Sequence, residues 1–178
     1  MTLIDHEYSK EKESNAVSRK AIAEQWLSIG VNVIPIKLGD KKPALKSWKN
    51  WMNNKVSQRE IDEWWSNPNQ YDVGIITGSI SHISAIDLDI SKGENKSGME
   101  SIEENEIRFP NGSLIAQTPS GGNHIICSYD YRLKNKVGVL EGVDIRSDGG
   151  YLKVSGNTEN IDGGSKDNWK IISGEIDR

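Results

Sequence analysis

The chain has 178 residues, 35% hydrophobic and 27% charged, with 22 Lys plus Arg against 26 Asp plus Glu and a formal net charge of −4. That size suits one domain or one compact two-lobed unit, and a mean hydropathy of −0.61 with the apolar residues in clean clusters is polar without being the composition of a disordered chain. Taken alone, the acidic balance argues against a nonspecific nucleic-acid coat protein; no apolar run approaches the roughly 20 residues that span a bilayer, so no membrane partner is expected; and a single cysteine, Cys127, allows neither an internal disulfide nor a Cys-rich zinc site and reads as a buried, inert thiol.

The polar start MTLIDHEYSKEKESN is not a secretory signal. Residues 1–13 read as a flexible arm ahead of a folded unit over residues 14–178, and a cytoplasmic location is the expectation. Ser14 can cap a helix with an apolar stripe of Ala16, Val17, Ile22, Ala23, Trp26, Leu27 and Ile29, stopped by Gly30. Residues 31–36 (VNVIPI) then read as a short strand. Between Lys37 and Arg59 the cations are Lys37, Lys41, Lys42, Lys46, Lys49, Lys55 and Arg59, with Asp40 as their one acidic neighbour. Trp48 and Trp51 lie among them. Cations beside flat aromatics suit phosphate and base contacts; the plainer reading is a solvated basic loop whose tryptophans anchor it to the core.

Ser57 and Glu60 have capping-box spacing and predict a short helix through Trp65. Residues 71–77 and 83–90 read as strands, and residues 98–108 as a helix with Met99, Ile102 and Ile107 apolar. Residues 114–118 and 124–129 are predicted strands around a hairpin-type turn, residues 143–146 and 151–155 are further strands around Ser147-Asp-Gly-Gly150, and residues 169–172 are a last edge strand. Strands outnumber helices and follow both strands and helices. That pattern predicts an α+β fold with a mixed or antiparallel sheet.

Three constellations carry chemistry. Asp87 and Asp89 alternate onto one face of a strand, with Cα atoms roughly 6.5 Å apart, while Ile86, Leu88 and Ile90 face a core. Two like charges on a rigid face are tolerated when a divalent cation sits between them; the alternative is a strand end with two solvated carboxylates. In Thr118-Pro-Ser-Gly-Gly-Asn-His124, Gly121 and Gly122 let the backbone approach a ligand and aim N–H groups at an anion, Ser120 offers a hydroxyl, and His124 offers a donor to a phosphate. The alternative is a polar hairpin turn. Asp144 and Arg146 also share a strand face: Asp144 can complete a carboxylate triad, and Arg146 can meet a phosphate or an aspartate, against the alternative of an ordinary cross-strand ion pair. Asp148 before Gly149 reads as turn chemistry, and His6 and His82 have no partner at ligand spacing.

Each signal is modest, and their order narrows the field. Gly30-Val-Asn-Val-Ile-Pro35, Lys42-Pro43, Trp64-Trp65, Val73-Gly-Ile-Ile-Thr-Gly78, Ala85-Ile-Asp-Leu-Asp89, Thr118-Pro-Ser-Gly-Gly-Asn-His124, Gly142-Val-Asp-Ile-Arg146 and Gly149-Gly-Tyr151 follow one another from about residue 17 to the C-terminus. In this succession the chain resembles the bifunctional primase–polymerase N-terminal family of the archaeo-eukaryotic primase superfamily. The resemblance implies an RRM-like catalytic sheet with an added N-terminal α/β unit. It implies metal-dependent, template-directed nucleotidyl transfer in the replication of a plasmid, phage or mobile element. Asp87, Asp89 and Asp144 would hold two divalent ions, Mg²⁺ or Mn²⁺, with His124 beside them in the catalytic set. Ser120, Gly121, Gly122 and His124 would bind the incoming nucleotide, and the reading extends to Arg146, Lys42 and Lys46 as phosphate contacts. The implied partners are a single-stranded DNA template, NTPs or dNTPs, and a replicative helicase domain or protein. The chain lacks both the Cys/His cluster of a zinc-binding stem and a G-x-x-x-x-G-K-[ST] helicase motif. Two other readings are a non-catalytic nucleic-acid or nucleotide-binding module of the same fold and a D-x-D phosphohydrolase. The net charge of −4 mixes an acidic arm, a basic segment and carboxylates placed where cations should sit; it therefore does not oppose nucleic-acid binding.

Overall fold

The computed structural model describes residues 17–155 and 170–173. The expected arm over residues 1–13, the expected cap Ser14 and Trp169 lie outside them. The apolar stripe forms α1 (Arg19–Ser28), and the residue that caps it is Ser18, whose hydroxyl accepts the Ala21 N–H. Gly30, at φ 76°, turns the chain out of the helix as expected. There follow β1 (Val33–Ile36), a single 3₁₀ turn (Lys49–Met52), α2 (Gln58–Trp64), β2 (Asp72–Ile76), β3 (Ile83–Leu88), α3 (Gly98–Glu104), β4 (Leu114–Gln117), β5 (Asn123–Ser128), β6 (Lys136–Leu140), β7 (Val143–Arg146), β8 (Tyr151–Lys153) and β9 (Lys170–Ser173). The Ser57–Glu60 capping box is formed, and a second one, Ser97 with Glu100, opens α3.

The strands make two sheets, β1-β2-β8 and β6-β7-β3-β5-β4-β9, and every pairing among them is antiparallel. This is the α+β class read from the sequence, in its antiparallel form. The small sheet takes two strands from the N-terminal half and a third from the C-terminal part. β7 and β8 flank the Ser147–Gly150 turn but do not pair. The turn instead carries the chain from the large sheet to the small one, and Thr77 fixes it by donating its hydroxyl to the Ser147 carbonyl at 2.8 Å.

Residues paired across a ladder share a face. On one face of the large sheet, Ile86, Leu88, Ile125, Ile115 and Val143 pack with Ile102 and Met99 of α3. The opposite face divides. Ile83, Ala85, Leu114 and Ile126 join Val33, Val73, Ile75 and Leu152 of the small sheet, Ala23 of α1 and Ile61 of α2 in one core. Further along the same strands, that face carries Asp87, His124 and Asp144. The small sheet is covered on its other side by Leu45, Trp48 and Trp51, which pack on Ile34, Ile36 and Ile76. Burial on both faces explains the unbroken apolar run VIPI, and Pro35 is tolerated because β1 is an edge strand.

A buried carboxylate locks the small sheet to its surroundings. The Asp72 side chain is 1% exposed, lies 2.7 Å from both Arg19 Nε and Lys153 Nζ, and so ties α1 to β8 through β2. Removing one member of a buried ion pair strands the others in a medium that solvates them poorly. Asp72→Ala is therefore expected to cost about 3–5 kcal/mol of unfolding free energy, read from urea titration. A loss below about 1 kcal/mol would contradict this role.

Candidate active site

Strand register builds the centre of the site. Asp87 on β3 stands directly opposite His124 on β5 and opposite Asp144 on β7. With strands about 4.8 Å apart, the three side chains form a row roughly 10 Å long across the sheet. His124 Nε2 lies 3.2 Å from Asp87 Oδ1. Arg146, two residues along β7 on the same face, places Nη2 2.6 Å from Asp144 Oδ2 and 3.8 Å from Asp87 Oδ2. The Gly138 N–H donates to the other Asp144 oxygen at 2.8 Å. Burial raises the Asp87 carboxyl's affinity for a proton, but the His124 hydrogen bond and the charges of His124, Arg146 and Lys41 outweigh it and hold Asp87 below the usual carboxylate range. Asp87 is thus an anion at neutral pH.

A cavity of about 370 Å³ opens over Asp87 and His124; Asp144, beside them in the row, is not among its lining residues. Its floor includes Asp87, His124 and Arg146, one wall is Thr118, Pro119 and Ser120, and another is Tyr151 and Lys153 of β8. Lys41, Lys92, Arg146 and Lys153 line it together with Asp87 and Asp89, so cations outnumber carboxylates and the cavity suits an anionic ligand. Lys153 is held by Asp72 and by the Asp40 carbonyl, 3.1 Å away. The Arg146 Nε is buried and has no hydrogen-bond partner among the described residues. Such a donor is costly unless a ligand oxygen meets it.

The other residues named from the sequence fall as follows. Asp89 lines the cavity but lies one residue past the strand. Its backbone N–H donates to the Gly142 carbonyl, and its carbonyl accepts from the Gly98 N–H. The assigned strand ends at Leu88, and Asp89 lines the same cavity as Asp87. Ile90, expected in a core, is 41% exposed at the cavity instead. Ser120 lines the cavity, its hydroxyl 3.0 Å from that of Thr118. Gly121 and Gly122 do not. Gly121 has φ +94°, and a side chain on Gly122 would place Cβ 2.3 Å from the Leu88 carbonyl oxygen, so both glycines serve the turn and its packing on β3. Lys42 and Lys46 are not on the cavity wall; Lys41 is, with its carbonyl accepting from the Tyr151 hydroxyl at 3.0 Å.

The tryptophans of the basic segment are anchors. Trp48 packs edge-on against Tyr151, Trp51 against Trp64, and Trp51 donates its indole N–H to Glu60 at 2.7 Å. Asn32, fully buried, donates to the Trp51 and Asn54 carbonyls and so pins the segment from below. Asp148, expected as local turn chemistry, instead accepts from the Ser79 N–H and the Tyr129 hydroxyl and so ties its turn to two distant segments. Cys127 is buried, and burial, with the nearby Asp130 charge, pushes its thiol pKa up.

Divalent ions of the Mg²⁺ or Mn²⁺ type need hard oxygen donors, and Asp87 and Asp144 supply them from facing positions. A positive group already sits against both: the Arg146 guanidinium stands where a cation would be held. The donor set therefore fits a cation in kind. Among the described residues, however, no three acidic or imidazole groups converge as a ready cage. Asp144 is engaged by Arg146 and Gly138, and Asp89 stands past the strand end.

Lys41, Lys92, Asn135, Tyr151 and Lys153 were not singled out as site residues by sequence. Tyr151 and Lys153 alternate on a predicted strand beside the Gly-Gly turn, a pattern that points both to one wall. The partner that fixes Lys153, Asp72, lies 81 positions earlier on another strand and gives no local signal.

A family model described as bifunctional DNA primase/polymerase, N-terminal, matches residues 23–170. No curated protein matches the chain.

Proposed function

This chain belongs to the bifunctional DNA primase/polymerase N-terminal family, whose match covers most of its length, and from that premise we propose that it is a nucleotidyltransferase that copies a single-stranded DNA template. The observation that carries the reading is the row Asp144, Asp87, His124, with Asp87 and His124 on the floor of a cavity lined by four cations. Nucleotidyl transfer needs anionic charge at the reacting centre and separate donors for the phosphates.

This chain's residues divide the work along the row. His124 and Ser120 border the cavity and donate to the triphosphate of a bound NTP or dNTP. Arg146, Lys41 and Lys153 neutralise it, with the free Arg146 Nε–H meeting a phosphate oxygen. Asp87, Asp89 and Asp144 would hold the divalent ions. When bound, these ions supply the charge that makes a 3′-hydroxyl nucleophilic and steadies the departing pyrophosphate. The setting implied by the sequence motifs is replication of a plasmid, phage or other mobile element, with a helicase as working partner. Among the described residues no helix is long and apolar enough to cross a membrane.

The test is incorporation of labelled nucleotide on primed and unprimed single-stranded DNA with Mg²⁺, with Mn²⁺ and with chelator. Product in either cation and none with chelator is the expected result. The Arg146–Asp144 ion pair is the one observation that favours a non-catalytic nucleotide-binding module. Nucleotide binding without product in either metal would establish that reading instead.

A further inference from the structure

The tryptophans of the basic segment are packed, so the aromatic that could stack on a template base must be sought elsewhere. Tyr131 is 70% exposed and Val137 68% exposed, more than any other large apolar side chain among the described residues. Both lie in the stretch Tyr131-Arg-Leu-Lys-Asn-Lys-Val137, where Arg132, Lys134 and Lys136 alternate with them. Every residue of that stretch except Leu133 is exposed. The stretch leads into β6, the outer strand on that side of the large sheet.

Two contacts join this surface to the site. Asn135 lines the cavity, and Gly138 of β6 donates its N–H to Asp144. From β6 to the Asp87 strand is two strand spacings, about 10 Å. The row of the site therefore has two ends. The Ser120 turn borders the cavity at the His124 end, and Asn135 borders it from the β6 side. Lys136, paired with Ile145 next to Asp144, lies beyond Asp144 on β6, and Tyr131 precedes it in the segment that leaves β5 at Ser128.

Lysines on an outer strand are a common defence against edge-to-edge pairing. That accounts for Lys136, and Lys134, just ahead of the strand, donates to the Tyr131 carbonyl, but neither accounts for a tyrosine and a valine left in water beside them. An exposed ring among cations matches the way single-stranded nucleic acid is held without sequence readout: bases stack on the ring, and the cations meet the backbone phosphates.

We propose that Tyr131, Lys134 and Lys136 form the surface that binds the single-stranded nucleic acid next to the reacting centre. The inference rests on the polymerase reading and names the partner surface for it. Nucleotide enters the cavity on the His124 side, and the strand lies across β6 on the Asp144 side.

The experiment measures fluorescence anisotropy of labelled oligo(dT) with the full chain as a function of salt, alongside nucleotide incorporation on a primed template. Tyr131→Ala is expected to weaken oligo(dT) binding about tenfold or more, because base–aromatic stacking is worth roughly 1–3 kcal/mol per base, and Tyr131→Phe is expected to restore it. The double substitution Lys134→Ala with Lys136→Ala is expected to reduce the slope of log affinity against log salt by about 1.4, at roughly 0.7 per phosphate contact on single strands. All three positions are exposed, and unchanged thermal melting checks that the fold is retained. Unchanged affinity and slope in the variants, beside a wild-type protein that binds DNA and incorporates nucleotide, would overturn the surface and leave the polymerase reading standing. A wild-type protein that neither binds oligo(dT) nor incorporates nucleotide would overturn both.

Discussion

Asp87→Asn is expected to reduce nucleotide incorporation by about a thousandfold or more while the protein still folds, on the scale of removing one group that acts on the charge of the transition state. The position is central in three ways. Asp87 is the middle of the row, facing His124 on one side and Asp144 on the other. It is held ionised by His124, Arg146 and Lys41 against the opposing effect of burial. It also lies on the cavity floor, so its charge acts where a nucleotide's phosphates would lie. Asparagine keeps the shape and can still accept from His124, but it removes the charge. The stability cost should stay near about 1–2 kcal/mol, that of weakening a hydrogen bond to a charged group. Single-turnover extension of a labelled primer measures the first quantity and urea unfolding the second. A rate within tenfold of wild type would remove Asp87 from the chemistry.

Arg146→Gln should move two measurements in opposite directions. In the structure the guanidinium neutralises Asp144 and leans toward Asp87. A divalent cation must compete with that positive charge for the same oxygens. Unit charges about 4 Å apart interact by about 4 kcal/mol at an effective dielectric of 20, so losing the competitor should tighten metal binding by about tenfold or more even after screening. Incorporation should nevertheless fall about a hundredfold, because the same guanidinium carries the buried Nε–H with no partner among the described residues, which we assign to the triphosphate. Mn²⁺ titration followed by the EPR signal of the free ion, without nucleotide, reads the first effect. Equal or weaker Mn²⁺ binding in the variant would show that Arg146 does not hold the metal position in the resting protein.

Much of the site was legible because strand periodicity is local. Alternation predicted that Asp144 and Arg146 share a face, and the register brings that face beside Asp87. Helix limits came from caps that spell themselves out, as at Ser57 and Glu60. The losses have a common cause in backbone bonds between distant segments. Alternation carries the Asp87 strand on to Ile90, but the Asp89 carbonyl is taken by the Gly98 N–H of α3 and the assigned strand ends at Leu88. The helix expected to reach Arg108 stops at Glu104, where the Asn105 side chain caps the Ser101 carbonyl and Glu106 takes φ 53°. β6 was missed because Lys-Val-Gly-Val-Leu pairs irregularly with β7, with Gly138 at φ 63°, and shows no clean alternation. The Ser120 turn needs glycine at 122 for a reason that no local pattern shows, its close approach to the Leu88 carbonyl. Lys41 and not Lys42 reaches the cavity, a distinction of one residue in a loop that no periodicity sets.

The central claim is templated nucleotidyl transfer at the Asp87 row. It is tested most directly by single-nucleotide addition to a fixed primer on four single-stranded templates that differ only in the base opposite the incoming nucleotide. Each dNTP or NTP is offered alone with Mg²⁺ or Mn²⁺, to wild type and to Asp87→Asn. The account predicts that the nucleotide added by the wild type changes with the template base, and that the variant adds none. Addition that ignores the template base, or addition by the variant equal to that of the wild type, would contradict it.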